Sequence, residues 1–217
     1  MRAAIFDLDG TLADSAPDIA RALNAALIEA GHAPFDRRAV TAMVGAGAKT
    51  LVERALLAQG AVADTALINR IHARFVIHYH AHPCIETRLY PGALAALEQL
   101  AAEGWQLGIC TNKPQALADL VVDALGLRAL FGSVVGGREG VPLKPAAGMV
   151  RLVLADLDAS VQRSVIIGDS AADVGAAKAA GMPVIILAHG YNDGPAEALG
   201  ADGVLAGFDG LVGALKG

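Results

Sequence analysis

Short apolar segments alternate with helical ones through the second part of the sequence, and this alternation most constrains the fold. Two of the apolar runs, 165–167 and 184–187, are β-branched throughout or nearly so, as is typical of strands covered on both faces. The predicted elements are helix 93–103, strand 105–110, helix 115–125, strand 133–136, helix 146–155, strand 164–167, helix 171–180 and strand 184–187. With a first strand at 3–6, they predict an α/β fold whose doubly wound parallel sheet forms a Rossmann-like core.

The segment between residues 15 and 85 shows helical periodicity without a strand pattern. Ser15-x-x-Asp18, with Pro17 between, predicts a helix start capped by Ser15. Tyr90-Pro91-Gly92 predicts the turn by which the chain returns to the core. We therefore predict a helical cap domain inserted into the core near its first strand. The predicted domains are 1–14 with 86–217 for the α/β catalytic core and 15–85 for the cap.

Composition restricts the classes of protein that fit. The 217 residues are 54% hydrophobic and carry a formal net charge of −5, which argues against a nucleic-acid-binding surface. Apolar runs are too short for a membrane helix, and we find no secretory signal, so we expect a soluble, cytoplasmic protein without membrane contact. Cys84 and Cys110 are too few for a disulfide framework or a zinc site.

Two carboxylates, Asp7 and Asp9, follow the first strand directly. Alternate residues of an extended chain share a face, and a turn at Gly10 would bring both carboxylates over the carboxyl end of the strand. Like charges this close require a cation or a shared proton. Mg²⁺, which prefers oxygen ligands, is the simplest explanation. An acidic pair of this kind can also cap a helix or lie in a solvated turn.

Polar residues lie shortly before two later predicted helices. Thr111 and Asn112 come at the end of strand 105–110, where a hydroxyl and backbone N–H groups can hold a phosphate oxygen beside a helix start. They could equally cap that helix. Lys144 precedes Pro145 in a turn and can neutralise charge on a phosphoryl group, although a surface lysine before a helix is common.

A second acidic pair, Asp169 and Asp173, follows strand 164–167. The spacing places Asp169 in the turn and Asp173 one helical turn later, so both can face one ion. Both could instead complement the helix dipole.

Taken together, the four motifs resemble those of the haloacid dehalogenase-like superfamily. The resemblance covers the whole chain and rests on Asp7-x-Asp9-Gly-Thr-Leu, Thr111, Lys144 and Gly-Asp169-x-x-x-Asp173. It implies that Asp7 is the nucleophile and Asp9 the general acid/base, while Thr111, Asn112 and Lys144 hold the phosphoryl group. It also implies that Mg²⁺ is bound by Asp7, the backbone carbonyl of Asp9 and Asp169, with Asp173 in support. The family's second proline after the lysine is absent, because Ala147 stands there.

Within this superfamily the chain looks most like phosphoglycolate phosphatases. Asp9 argues against haloacid dehalogenases, which lack this aspartate, and against phosphonoacetaldehyde hydrolases, which have alanine there and a cap lysine; Lys49 is the only lysine of the insertion. The likeness lies in residues 14–18, in 44–48 and 51–56 of the cap, in Thr111-Asn112-Lys113-Pro114, and in Gly190-Tyr191-Asn192. It implies hydrolysis of a small phosphorylated metabolite, 2-phosphoglycolate, to glycolate and phosphate by a monomer or homodimer.

Other interpretations remain open at this point. A β-phosphoglucomutase-like isomerase or a broad-specificity sugar-phosphate phosphatase would carry the same motifs, and a non-catalytic scaffold could retain the fold. Arg54 could contact a substrate carboxylate or be a solvated helix charge. We interpret His78, His80 and His82 as exposed or cap-packing side chains rather than metal ligands.

Overall fold

The computed structural model describes residues 1–191 and 194–216, so Asn192 of the Gly190-Tyr191-Asn192 segment lies outside the described residues. Eight strands and nine α-helices occupy the described part of the chain. The strands are β1 (Ala3–Phe6), β2 (Ala13–Asp14), β3 (Arg88–Leu89), β4 (Gln106–Pro114), β5 (Ser133–Gly137), β6 (Val165–Gly168), β7 (Val184–Leu187) and β8 (Gly203–Leu205). The helices are α1 (Ala16–Glu29), α2 (Arg37–Thr41), α3 (Ala48–Ala58), α4 (Thr65–Ala81), α5 (Ala93–Ala102), α6 (Gln115–Ala124), α7 (Gly148–Asp156), α8 (Ala171–Ala180) and α9 (Leu211–Ala214).

Six of the strands form a single parallel sheet in the order β5-β4-β1-β6-β7-β8. Chain order therefore runs outward from β1 in one direction through β4 and β5, then restarts beside β1 with β6. This is the doubly wound arrangement, in which ligands bind outside the carboxyl ends of the strands where the direction reverses. The predicted fold class is confirmed.

The sheet is buried on both faces because its strands alternate apolar side chains between two hydrophobic clusters. On β1, Ala4 and Phe6 pack into one cluster, while Ala3 and Ile5 pack into the other. The first cluster continues into helices α1, α3, α4, α5 and α6, and the second includes residues of α7 and α8. Strands covered on both sides favour the continuous β-branched runs seen in the sequence.

Four helices, α1 to α4, occupy the segment between β2 and β3. The short strands β2 and β3 pair antiparallel, with Ala13 opposite Leu89 and Asp14 opposite Arg88. This pairing brings the entry and the exit of the helical segment side by side. None of the described helices is long and apolar enough to cross a membrane.

Helix α1 begins where predicted, but the prediction that Ser15 caps it is wrong. Ser15 already has helical dihedral angles and its side chain makes no capping hydrogen bond. The backbone N–H groups of Ser15 and Ala16 donate instead to Tyr191 Oη, at 2.7 and 2.8 Å. Tyr191 Oη in turn donates to Asp14 Oδ1 at 2.8 Å. A side chain 176 positions away in sequence therefore replaces the local cap.

Strand β4 is longer than predicted, since it runs to Pro114 with an irregular register after Cys110. Thr111 and Asn112 consequently lie within the strand extension, and neither caps helix α6, whose first-turn cap position is Pro114 without a side-chain hydrogen bond. The capping alternative for these two residues is wrong. The predicted helix start at residue 115 is confirmed, because α6 begins at Gln115.

Candidate active site

The predicted site residues converge at the carboxyl ends of the three central strands β1, β4 and β6. Asp7 directly follows β1, and its backbone N–H donates to Ile167 O of β6 at 2.9 Å. Asp169 directly follows β6. After Asp9 the chain turns at Gly10, whose φ of 87° lies in the left-handed region. A Cβ atom on Gly10 would lie 2.4 Å from Asp169 Oδ2, so only glycine lets this turn approach the carboxylate.

Three buried carboxylates, those of Asp7, Asp169 and Asp173, form one cluster. Each offers an oxygen atom, and these oxygen atoms lie within 4.8 Å of one another. Asp169 is held by two hydrogen bonds, from Thr11 Oγ1 to Oδ1 at 2.6 Å and from the backbone N–H of Tyr191 to Oδ2 at 2.8 Å. An all-oxygen set of this size suits a hard cation such as Mg²⁺.

Lys144 supplies positive charge to this cluster. Its Nζ lies 3.0 Å from Asp7 Oδ1 and 2.6 Å from Asp173 Oδ1, and its side chain is 2% exposed. Burial alone would lower the pKa of Lys144, but the charges of Asp173 and Asp7 outweigh it and raise the pKa. The lysine therefore stays protonated beside the carboxylates.

The three carboxylates of the cluster carry more negative charge than Lys144 can balance. Burial raises the pKa of Asp7 and of Asp169 above the ordinary carboxyl range, and the charge of Asp173 adds to both shifts. Lys144 opposes the shift at Asp7 and the Thr11 hydroxyl opposes it at Asp169. A divalent cation would offset the excess negative charge, so the residues present fit a bound metal ion.

Asp173 differs from the other two carboxylates because hydrogen bonds use both of its oxygens. Oδ1 accepts from Lys144 Nζ, and Oδ2 accepts from the backbone N–H groups of Asp169 and Ser170 and from Ser170 Oγ. The bond from the Ser170 backbone N–H to Asp173 Oδ2 is one half of the capping box at the start of α8. This arrangement suits a residue that orients Lys144 and the turn around Asp169.

The nucleophile candidate Asp7 has one oxygen held and one left open. Oδ1 accepts from the backbone N–H of Leu8 at 2.7 Å and faces Lys144. Within residues 1–191 and 194–216, Oδ2 accepts no hydrogen bond. An oxygen so placed is available to attack an electrophile in the adjoining pocket.

Asp9 has partners of its own, separate from the acidic cluster. Its Oδ1 accepts from Ser15 Oγ at 2.6 Å and from Lys113 Nζ at 2.9 Å, and Oδ2 lies 3.1 Å from the same Nζ. Lys113 Nζ also donates to Tyr79 Oη of helix α4 at 2.6 Å. The two aspartates of the first motif are thus each paired with a different buried lysine.

Thr111 and Asn112 take different positions in the site. Thr111 is buried and lines the pocket beside Asp7. The amide of Asn112 donates to Gly45 O at 2.9 Å and to Lys144 O at 3.0 Å, while its Oδ1 accepts from the Lys144 N–H at 2.8 Å. The Asn112 side chain therefore connects the helical segment to the lysine turn and leaves only its main chain for phosphate.

A cavity of about 40 Å³ lies above Asp7 and Asp9. Thr111, Asn112 and Lys113 of β4 line its core side. The opposite wall is mainly apolar and comes largely from the helical segment, through Ile19, Val44, Leu51, Phe75 and Tyr79, together with the Gly45–Ala48 turn region and Leu117 of α6. On this volume scale the cavity holds only a few groups of the size of a water molecule.

Arg54, His78 and Lys49, whose roles the sequence left open, do not line this cavity. Arg54 donates from Nη1 to Met43 O at 2.9 Å and so ties down the loop before α3. His78 Nε2 lies 2.8 Å from Glu29 Oε1 on the exposed side of α1 and α4. Lys49 is exposed and borders an outer groove next to the cavity.

Three contributions to the site were missed at the sequence level: those of Lys113, Tyr79 and Tyr191. Lys113 lies within the Thr111-Asn112-Lys113-Pro114 segment, so its proximity to the site was visible although its partner was not. Tyr79 falls four residues after Phe75 on the buried face of α4, a pattern that sequence reasoning assigns to core packing. Nothing local to Tyr191 indicates that it caps α1.

Comparison with known proteins gives a consistent picture. The sequence model of the haloacid dehalogenase-like hydrolase family matches residues 1–181. A phosphoglycolate phosphatase from Rhodospirillum rubrum is 45% identical over 213 residues, which cover 96% of this chain and 87% of the relative. A phosphoglycolate phosphatase from Cereibacter sphaeroides is 38% identical over 216 residues, covering 100% and 98%.

Solved structures show the same likeness. The crystal structure of a predicted phosphoglycolate phosphatase from Haemophilus somnus superposes with a TM-score of 0.90 at 28% identity, covering 98% of this chain and 96% of that one. The similarity extends over both the sheet and the helical segment.

Proposed function

Because this chain belongs to the haloacid dehalogenase-like hydrolase family, we propose that it is a magnesium-dependent phosphatase that hydrolyses 2-phosphoglycolate to glycolate and inorganic phosphate. The enzyme is a phosphoric monoester hydrolase. The observation that carries the assignment of chemistry is the Asp7 carboxylate, which lines the cavity and has one oxygen held by Lys144 and Leu8, while the other accepts no hydrogen bond from the described residues.

The proposed reaction has two displacements at phosphorus. Asp7 Oδ2 attacks the phosphorus atom, an oxygen–phosphorus bond forms, and the bond to the glycolate oxygen breaks. Asp9, which enters this step protonated, donates its proton to that departing oxygen, so glycolate leaves as the alcohol and Asp9 becomes a carboxylate. Asp9 then takes a proton from water, whose oxygen attacks phosphorus and releases phosphate while the Asp7 carboxylate is restored.

The proposal assigns the remaining site residues by their contacts. Thr111 and the main chain near Asn112 would hold phosphoryl oxygens, and Lys144 would offset their charge. Asp7, Asp169 and the Asp9 carbonyl would hold Mg²⁺, with Asp173 supporting them through hydrogen bonds. A bound Mg²⁺ would neutralise carboxylate and phosphate charge, so that one anion can approach another.

The choice of substrate rests on the cavity and the named relatives. A space of about 40 Å³ suits a leaving group of a few atoms better than a sugar. The narrow, mainly apolar cap wall also offers few polar groups to hold a hexose between two transfers. The predicted cap, residues 15–85, would cover this space and so exclude water during the first displacement.

A substrate panel tests the proposal. With Mg²⁺ present, we expect kcat/KM for 2-phosphoglycolate to exceed that for sugar phosphates and nucleotides by about 100-fold or more, because the narrow cavity excludes the larger leaving groups. Uniformly weak activity on all of these phosphate esters would contradict the assignment of 2-phosphoglycolate as the substrate. Formation of glucose 6-phosphate from glucose 1-phosphate would favour the isomerase, and absence of any turnover, with no effect of Mg²⁺ on Tm, would favour a non-catalytic scaffold.

A further inference from the structure

Lys113 is a buried cation in the wall of the substrate cavity. It lies in the irregular extension of β4, its side chain is 2% exposed, and its three close partners are the two oxygens of Asp9 and Tyr79 Oη. The ammonium group also lies 4.2 Å from the centre of the Tyr79 ring. It therefore joins the core, through Asp9, to helix α4 above the cavity.

Lys113 is the one positively charged side chain among the described residues that line the cavity. Lys144 serves the other side of the site with Asp7 and Asp173. The side chains facing it from the helical segment are mostly apolar, including Ile19, Leu51 and Phe75. A cation in such surroundings strongly favours negatively charged neighbours, and Asp9 is the carboxylate that contacts it in this structure.

Lys113 also lies close to where the leaving group must be. Asp9 has to reach the departing oxygen in order to protonate it, and Lys113 Nζ is 2.9 Å from Asp9 Oδ1. In 2-phosphoglycolate a single methylene carbon separates that oxygen from the carboxylate. A group that starts beside Asp9 and extends by one carbon can therefore reach the ammonium group.

We propose that Lys113 is the specificity-determining residue of this enzyme, which binds the carboxylate of the leaving group and selects phosphate esters of short hydroxy acids. This inference rests on the proposed function. A purely structural role, in which Lys113 connects Asp9 to Tyr79, would also explain its position. That role would predict no preference for a charged leaving group. Selection by charge is therefore the property to measure.

The experiment compares two esters of the same length, 2-phosphoglycolate and 2-hydroxyethyl phosphate, in which a neutral hydroxymethyl group replaces the carboxylate. The wild-type enzyme should favour 2-phosphoglycolate in kcat/KM by about 100-fold or more, since sites built around a polar group reject analogues that lack it. Lys113→Met should lower activity on both esters through its contact with Asp9. It should also reduce the preference between them to less than about 5-fold, because the buried charge partner is lost.

A matched control is Lys49→Met, which removes an exposed lysine of α3 outside the cavity. It should leave the preference within about 2-fold of wild type, since exposed charges act weakly at a distance. If Lys113→Met fails to fold by circular dichroism, Lys113→Gln keeps a donor between Asp9 and Tyr79 and must show the same selective loss.

The outcomes separate this inference from the proposed function. Equal losses on both esters in a folded Lys113 variant would overturn the specificity role and leave the phosphatase assignment intact. A wild-type enzyme that prefers the neutral ester, or hydrolyses neither, would refute the proposed substrate before any variant is made.

Discussion

At the scale of single residues, the two aspartates of the first motif contact different lysines. Asp7 faces Lys144 and the acidic cluster, whereas Asp9 faces Lys113 and Ser15. The spacing of the first motif indicates that both carboxylates lie at one strand end, but it does not indicate which cation each contacts. Those contacts depend on Lys113 of β4 and on the turn that holds Lys144, both more than one hundred positions away.

Asp7→Asn is expected to abolish turnover and preserve the fold. The amide has the size of the carboxylate but cannot act as the nucleophile, so phosphate release should fall by about 10⁴-fold or more. Without Mg²⁺, Tm should stay level or rise, because the change removes a buried carboxylate whose pKa is raised. Phosphate release and thermal denaturation are the measurements, and wild-type-like activity would refute the assigned role.

Lys144→Met is expected to destabilise the protein by about 3–5 kcal/mol, because it leaves Asp7 and Asp173 buried without their cation. Urea unfolding in metal-free buffer measures this effect. Lys178→Met is the matched control, since Lys178 is exposed near the end of α8, and it should change the unfolding free energy by less than about 0.5 kcal/mol. Similar losses in both variants would show that the Lys144 ion pairs contribute little.

At the scale of elements, the entry and exit of the helical segment are held together by side chains as well as by the β2–β3 pairing. Asp18 of α1 is fully buried. Its Oδ2 accepts from the backbone N–H groups of Glu86 and Thr87, at 3.0 and 2.8 Å, and from Thr87 Oγ1 at 2.7 Å. Its Oδ1 accepts from Arg21 Nη2 at 2.5 Å. One carboxylate thus fixes both crossings between the helical segment and the sheet.

Asp18→Asn is expected to cost about 2–4 kcal/mol at pH 7, since the amide places a donor where several donors already converge. Burial opposes ionisation of Asp18, but hydrogen bonds from Thr87, Arg21 and Glu86 lower its pKa below the ordinary 3.8. A lowered folded pKa gives stability that is present above pH 3.8 and lost as pH falls through the folded pKa. The difference in unfolding free energy between wild type and Asp18→Asn should therefore become smaller at acidic pH.

Urea unfolding at neutral and acidic pH checks this prediction. Asp64→Asn is the control, because Asp64 is an exposed N-cap that accepts from the Leu67 N–H and asparagine caps equally well. It should change the unfolding free energy by less than about 0.5 kcal/mol. A gap for Asp18→Asn that stays constant with pH would contradict the role of its charge.

The elements themselves were largely predictable from sequence, and their long-range partners were not. Helix 171–180 and strand 184–187 match the prediction, because periodicity and β-branched runs are local signals. Strand β8, only Gly203–Leu205 and partly exposed, carries too weak a pattern to identify. The Tyr191 cap on α1 could not be predicted because it depends on tertiary structure.

At the scale of the whole molecule, sheet order explains why motifs distant in sequence meet. The order β5-β4-β1-β6-β7-β8 places β1 between β4 and β6, so the residues after these strands share one edge. The sequence supports this arrangement through strand–helix alternation and the position of each motif after a strand. The cap wall of the cavity was not predictable in detail, because it requires the packing of α1, α3 and α4 above that edge.

Removal of the metal tests the molecule as a whole. Mg²⁺ that binds only the folded state should stabilise it by about 2.7 kcal/mol at a concentration 100 times Kd. For a chain of this size that corresponds to a rise in Tm of roughly 5–10 °C, reversed by a chelator. The effect should arise at the acidic cluster, where the carboxylate charges of Asp7, Asp169 and Asp173 exceed that of Lys144.

The variant Asp169→Asn tests whether the Mg²⁺-dependent rise in Tm arises at the acidic cluster. It removes a carboxylate that is held in place by Thr11 and Tyr191, so the variant should fold but show less than about 2 °C of the Mg²⁺-dependent rise. Asp64→Asn removes an equal charge at an exposed helix start and should keep the full rise. A full rise in Asp169→Asn, or an equal loss in both variants, would contradict a magnesium site at the carboxyl ends of β1 and β6, because the stabilisation would then arise elsewhere on the molecule.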